Sequence, residues 1–107
     1  MRRPFVLSAA LTWTLLLVSN PAAAAPHIYT IVIDKMRFGP VPQQLHKGDT
    51  IVWDNHDMFQ HSATDKGVFD LDIGAGKKAA LRLTRAGTFP FVCKYHPGMK
   101  GVLKVAP

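Results

Sequence analysis

The pattern of short runs after position 26 rules out a helical fold before composition is considered. No apolar period near 3.6 survives there. Apolar and polar residues instead alternate in runs that stop at glycine, proline or aspartate about every 8–12 residues, the rhythm of a β-sandwich. Residues 27–33 put Tyr29, Ile31 and Ile33 on one face, and residues 50–54 put Ile51 and Trp53 on one side. Residues 77–84 turn Ala79, Leu81 and Leu83 inward while Lys78 and Arg82 face out. Residues 88–93 align Phe89, Phe91 and Cys93, and residues 101–105 align Leu103 and Val105. Between them, His46-Lys47-Gly48-Asp49, Gly74-Ala75-Gly76 and Ala86-Gly87 read as turns. Residues 36–42 read as an irregular edge piece, 55–61 as loop and 62–65 as a brief strand. Pro90 has no N–H to give to a ladder, so its strand must leave position 90 unpaired or lie at an edge. The expected fold is all-β, one antiparallel sandwich of about seven or eight strands.

The first residues follow a different logic. Arg2 and Arg3 precede a 14-residue apolar run, residues 5–18, broken only by Ser8, Thr12 and Thr14. Asn20 and Pro21 end it, and Ala22, Ala23, Ala24 and Ala25 supply the small residues a signal peptidase needs. A membrane-spanning helix needs about 20 residues, so this run is a secretory signal rather than an anchor. Cleavage is expected after Ala24, because a cut after Ala25 would leave Pro26 first. The domains are then a signal peptide, 1–24, and a folded domain, 25–107. The run from Arg2 to Leu7 faintly resembles a twin-arginine signal, yet almost nothing precedes it, so ordinary secretion is preferred. Either route places the protein outside the cytoplasm, in the periplasm or beyond.

An exported domain this small normally needs a staple, and disulfides usually provide it. Here there is one cysteine, Cys93, and an exported free thiol invites oxidation. A bond to a metal would both protect the thiol and replace the missing staple. Without Arg2 and Arg3, 11 basic residues face 7 aspartates, a net charge of +4, and glutamate is absent. The basic residues are scattered rather than clustered with stacking aromatics, which argues against nucleic acid and for a partner with an acidic surface.

The segment that carries chemistry is Cys93-Lys94-Tyr95-His96-Pro97-Gly98-Met99. A thiolate, an imidazole and a thioether follow one another at steps of three, and Pro97-Gly98 help to turn the chain around a single ion. These soft to borderline donors suit copper in both oxidation states. A trigonal site of two histidines and a cysteine with a weak axial methionine needs a second histidine. His61, at the junction of loop and strand, is the preferred candidate, with His56 five residues earlier as the fallback. His46 reads as a solvated turn residue. His27 would be third in the cleaved chain, but an amino-terminal copper site needs the amide of the second residue, and Pro26 has none.

These residues resemble the cupredoxin family of blue copper proteins, in its plastocyanin and amicyanin group. The resemblance rests on Met36-x-Phe38-x-Pro40, Lys47-Gly48-Asp49-Thr50, Trp53-x-Asn55, His61-Ser62 and the run from Gly87 to Val105 that holds Cys93, His96 and Met99. The two residues between His96 and Met99 match amicyanin's short ligand loop. The resemblance implies a Greek-key sandwich and one type 1 copper held by His61, Cys93, His96 and Met99. It also implies a surface position for His96, with His61 deeper, and a role in carrying single electrons between a donor and an acceptor protein. Ser62 departs from the family, which often has asparagine there to hydrogen-bond near the thiolate. The start of the folded domain is also shorter than in typical amicyanins, so amicyanin's own partner is not carried over.

An enzyme is not expected. Ser62 is the one serine of residues 25–107, it adjoins His61 rather than facing it, and four protein ligands leave no open metal position. The alternative is a copper-binding protein for storage or delivery, which the ligands alone do not separate from a carrier. A monomer without stable membrane insertion is the expected state.

Overall fold

The computed structural model describes residues 2–17 and 25–107, and the expected cleavage point after Ala24 lies outside them at its leading side. Residues 2–17 carry neither helix nor strand and are exposed. Among the described residues no helix is long and apolar enough to cross a membrane.

Among the described residues nine strands follow: β1 (Ile28–Asp34), β2 (Arg37–Phe38), β3 (Leu45–His46), β4 (Thr50–Asn55), β5 (His61–Asp65), β6 (Phe69–Ile73), β7 (Lys78–Arg82), β8 (Gly87–Cys93) and β9 (His96–Ala106). They form two sheets in the orders β2-β1-β4-β7 and β3-β9-β8-β5-β6. The all-β sandwich is as expected, with a larger strand count. The excess comes from the two-residue strand β3 and from β6, whereas β2 falls within the expected edge piece at 36–42. Two pairings are parallel, β1 with β4 and β3 with β9. They arise because the chain crosses to the second sheet at β3 and returns to the first at β4, so it runs beside β1 in the same direction.

The expected inward faces meet in the middle. Ile31, Ile33, Ile51 and Trp53 from the first sheet pack with Ala63, Ile73, Phe91, Cys93 and Leu103 from the second, all but fully buried. Phe91 stands edge-on to Trp53, with ring centroids 5.6 Å apart and planes at 80°, an arrangement that adds to the area the rings bury. Pro90 aligns with Val102 in the β8–β9 ladder, whereas β5 pairs with β8 only at Thr64↔Val92. Continuing that register would set Pro90 against Lys66, already in the β5–β6 turn, so the missing N–H costs no ladder bond there.

Asp49 organises the end of the sandwich away from the cysteine loop. It is 2% exposed, and its carboxylate accepts the N–H groups of His27 at 3.0 Å and His46 at 2.8 Å. Burial alone would push this carboxyl up, but the two amides and the neighbouring histidines hold it below its ordinary value of 3.8. Because the folded value is depressed, the stabilisation is present above the unfolded value and is lost as pH falls through the folded one. Asp49→Ala is therefore expected to cost about 2 kcal/mol at neutral pH, since two inward-facing amides lose their acceptor. Urea unfolding at successive pH values should show a smaller acid loss below about pH 4 in the variant than in the wild type. Equal slopes would remove Asp49 from this role.

Candidate metal centre

Cys93 closes β8 and His96 opens β9, so Lys94 and Tyr95 form a two-residue turn and Cys93 pairs with His96. The next pair is Val92↔Lys100. Pro97, Gly98 and Met99 thus have no counterpart on β8, and this bulge breaks the alternation of β9. Met99 comes out 5% exposed while Pro97 and Gly98 are exposed. The strand therefore begins five residues earlier than the pattern from Gly101 suggested, and the candidate ligands sit on a bulged ladder rather than a free loop. Bulges re-aim side chains in just this way.

His61 opens β5, as expected, and is fully buried. Its Nδ1 lies 3.8 Å from Cys93 Sγ and 3.2 Å from His96 Nδ1, and His96 Nδ1 lies 3.7 Å from the sulfur. Among the described residues, these three form a group whose donor atoms lie within 4.8 Å of one another. A trigonal ion with bonds of about 2.0 Å to nitrogen and about 2.3 Å to sulfur would space the nitrogens about 3.5 Å apart and each nitrogen about 3.7 Å from the sulfur. The observed triangle fits that. His56 does not join it: its Nε2 meets Asp54 Oδ2 at 3.1 Å and half of its side chain is exposed. His46 is exposed on β3 rather than in the turn, and His27 is also exposed.

Hydrogen bonds lock the triangle from behind. β5 and β8 diverge past Thr64↔Val92, and side chains take over from the ladder. The N–H of Ser62 donates to Cys93 Sγ at 3.3 Å, and Ser62 Oγ accepts the N–H of Lys94 at 2.9 Å. Thr64 donates its hydroxyl to the Asp70 carboxylate at 2.9 Å, so the 2.9 Å contact between Ser62 and Thr64 has Ser62 as donor. One ordered chain thus runs from Lys94 N–H through two hydroxyls to Asp70. Ser62 ties the His61 strand to the Cys93 turn with a hydroxyl, and its backbone N–H supplies the sulfur. Asp72 and then Asp70 hold the Lys94 ammonium above its usual range, the contacts being 3.0 Å to each.

Two residues of this region have roles that the sequence does not disclose, Asn55 being legible there only as part of the Trp53-x-Asn55 pattern. Asn55, fully buried, donates through Nδ2 to the carbonyls of Phe59, Ile73 and Gly74 at 2.8, 3.1 and 3.2 Å and accepts Asp57 N–H at 2.9 Å. Asp57 in turn takes the remaining nitrogen of His61, Nε2, at 2.8 Å. Burial alone would raise the Asp57 carboxyl, but Met36 N–H, His61 and Lys35 N–H hold it below the usual carboxylate range. The only hint in the sequence is the i,i+4 spacing of Asp57 and His61, which in a loop predicts nothing by itself.

A profile of the cupredoxin-like domain matches residues 7–105. The chain belongs to the cupredoxin-like family. Amicyanin from Paracoccus versutus is 29% identical, across 77% of this chain and 70% of its own length. An oxidised amicyanin mutant is 29% identical with a TM-score of 0.61, covering 73% of this chain and 81% of that one. A Cu(I) form of another amicyanin mutant is 28% identical at 0.60, covering 79% and 87%. A copper-containing nitrite reductase from Thermus scotoductus superposes at 0.67 with 24% identity over 78% of this chain and 23% of its own, a likeness of fold alone. Within this family the cupredoxin is amicyanin-like and takes one copper, to which the buried donor set is suited. It is a blue-copper electron-transfer protein.

Proposed function

We propose that this cupredoxin is an exported carrier that takes single electrons from one redox protein and passes them to another, with His61, Cys93, His96 and Met99 as ligands of one copper per chain. The observation that carries the reading is the preassembled, buried His61–Cys93–His96 triangle, with Met99 turned inward by the β9 bulge. Copper supplies the one-electron Cu(II)/Cu(I) couple. The protein holds the donors so that little need move when that couple changes state. Cys93 and His96 are paired across a two-residue turn, His61 starts a strand, and Ser62 bonds the two arms together.

His96 is half-buried whereas His61 is fully buried, so the His96 edge is the short route to solvent. Met58 (90% exposed), Phe59 (61%) and Tyr95 (46%) belong to the loops that carry His61 and His96, and Pro97 next to His96 is exposed. They offer an apolar contact through which a partner could approach the imidazole closely without ordered water between. The net charge of +4 over residues 25–107 favours an acidic partner, although Asp70 and Asp72 offset the nearest cation, Lys94. The chain acts as a monomer after removal of residues 1–24.

Titration of the purified protein with Cu(II), followed by ascorbate and re-oxidation, tests the reading. The expected result is an intense blue band that saturates at one copper per chain and returns after each cycle. Copper lost on reduction to a chelator or acceptor would point to storage or delivery, and a weak tetragonal signal would overturn the site.

Met99→Leu is expected to keep the blue colour and to raise the potential, because a donor that favours Cu(II) has gone. A tenfold shift in preference corresponds to about 59 mV, and voltammetry would read it. An unchanged potential would remove Met99 from the ligand set.

A further inference from the structure

We propose that Asp57 is a positioning residue of the copper centre: its carboxylate fixes the orientation and tautomer of His61, and its negative charge biases the site toward oxidised copper. The proposal rests on His61 being a ligand. A carboxylate offers only acceptors, so the 2.8 Å contact with His61 Nε2 places the imidazole proton on Nε2. The lone pair is then left on Nδ1, the atom that faces Cys93 Sγ and His96 Nδ1. An imidazole that donates to a carboxylate is a stronger donor to a cation, and more so to Cu(II) than to Cu(I). The Asp57 side chain is 11% exposed, so water screens its charge little.

The carboxylate is itself held from the opposite sheet. Lys35 N–H donates to one oxygen at 2.8 Å and Met36 N–H to the other at 2.9 Å. Lys35 and Met36 are the two turn residues between β1 and β2, with φ of 51° and 60°. Consecutive positive φ values are the signature of a hairpin turn that prefers asparagine and glycine. Lysine and methionine fill it here at a conformational cost, and the result is a pair of amides aimed at Asp57. Backbone outliers that persist commonly support a functional site. The strained β1–β2 turn of one sheet therefore braces, through Asp57, a ligand that starts a strand of the other.

Two variants separate charge from shape. Asp57→Asn keeps an acceptor and loses the charge, and Asp57→Ala loses both. Loss of an outer partner typically weakens metal binding by about 10–100-fold. For Asp57→Asn the expectation is Cu(II) affinity about tenfold lower with Cu(I) affinity unchanged, a rise in potential of about 59 mV, and an intact blue band. Asp57→Ala should add a changed EPR signal as His61 loses its orientation. NMR of the metal-free full chain gives a readout that needs no variant: His61 should carry its proton on Nε2, as the Asp57 contact requires. A proton on Nδ1 would overturn the positioning role, and potentials equal to wild type in both blue variants would overturn the charge role. If the wild-type protein were not blue with copper, the ligand reading would fail first and this proposal with it, an outcome distinct from a blue wild type with indifferent variants.

Discussion

Cys93→Ser is expected to yield a folded protein that never turns blue when copper is added. The intense visible band of such a site comes from charge transfer out of a thiolate, and serine offers a hydroxyl that does not ionise in this range. Cys93 is fully buried, and its sulfur accepts the Ser62 N–H while lying 3.7–3.8 Å from both imidazoles. A serine oxygen keeps the Ser62 amide partnered, so the metal-free fold loses little, on the order of 1 kcal/mol. The metal loses its soft donor entirely. Changes beyond the ligands alone cost about 10–100-fold in affinity, so loss of this ligand should cost more than about 100-fold. Absorption and EPR of the copper-loaded variant, beside thermal unfolding of the metal-free form, read the two effects separately. A surviving blue band would show that the sulfur is not a ligand, and an unfolded metal-free variant would show that Cys93 serves packing first.

The residues that made this prediction possible were legible in the sequence because their signals are local. Cys93, His96 and Met99 lie within seven residues of one another, and Ile31/Ile33, Ile51/Trp53 and Leu103/Val105 alternate as strands of a half-buried sheet must. What was not legible depends on partners distant in the chain. Strand β6 carries a local alternation of Phe69, Leu71 and Ile73, but Asp70 and Asp72 between them are poor strand formers and mask it. They are tolerated there because they face Lys94 and Tyr95, more than 20 residues on. The parallel β1–β4 register is set by a crossing between sheets, which no periodicity records. Asp57 was invisible for the same reason: Lys35 and Met36, more than 20 residues upstream, give it meaning.

Gly101→Ala should be the most damaging single methyl group in the sandwich. Gly101 sits opposite Phe91 in the β8–β9 ladder, and a Cβ built on it would press into the Phe91 ring, with Cε1 at 2.8 Å and Cε2 at 2.9 Å and Cζ closer still. The ring has nowhere to go. Phe38, Trp53 and Phe69 surround it with centroids at 4.9, 5.6 and 6.4 Å, and Phe91 is 1% exposed. Overpacking of this kind costs about 1–3 kcal/mol, and the three fixed rings put the expected loss near the upper end. For a domain of this size that lowers Tm by more than about 10 °C. The damage should reach the metal as well, because Phe91 lies two residues before Cys93 and Gly101 two after Met99, on the two arms that carry the ligands. A displaced blue band should therefore accompany the lower Tm. Phe91→Leu in the same chain frees the space, so the double variant should be more stable than the sum of the single losses allows. Calorimetry of the four proteins decides it: additive losses would mean that Gly101 is constrained by something other than the Phe91 ring.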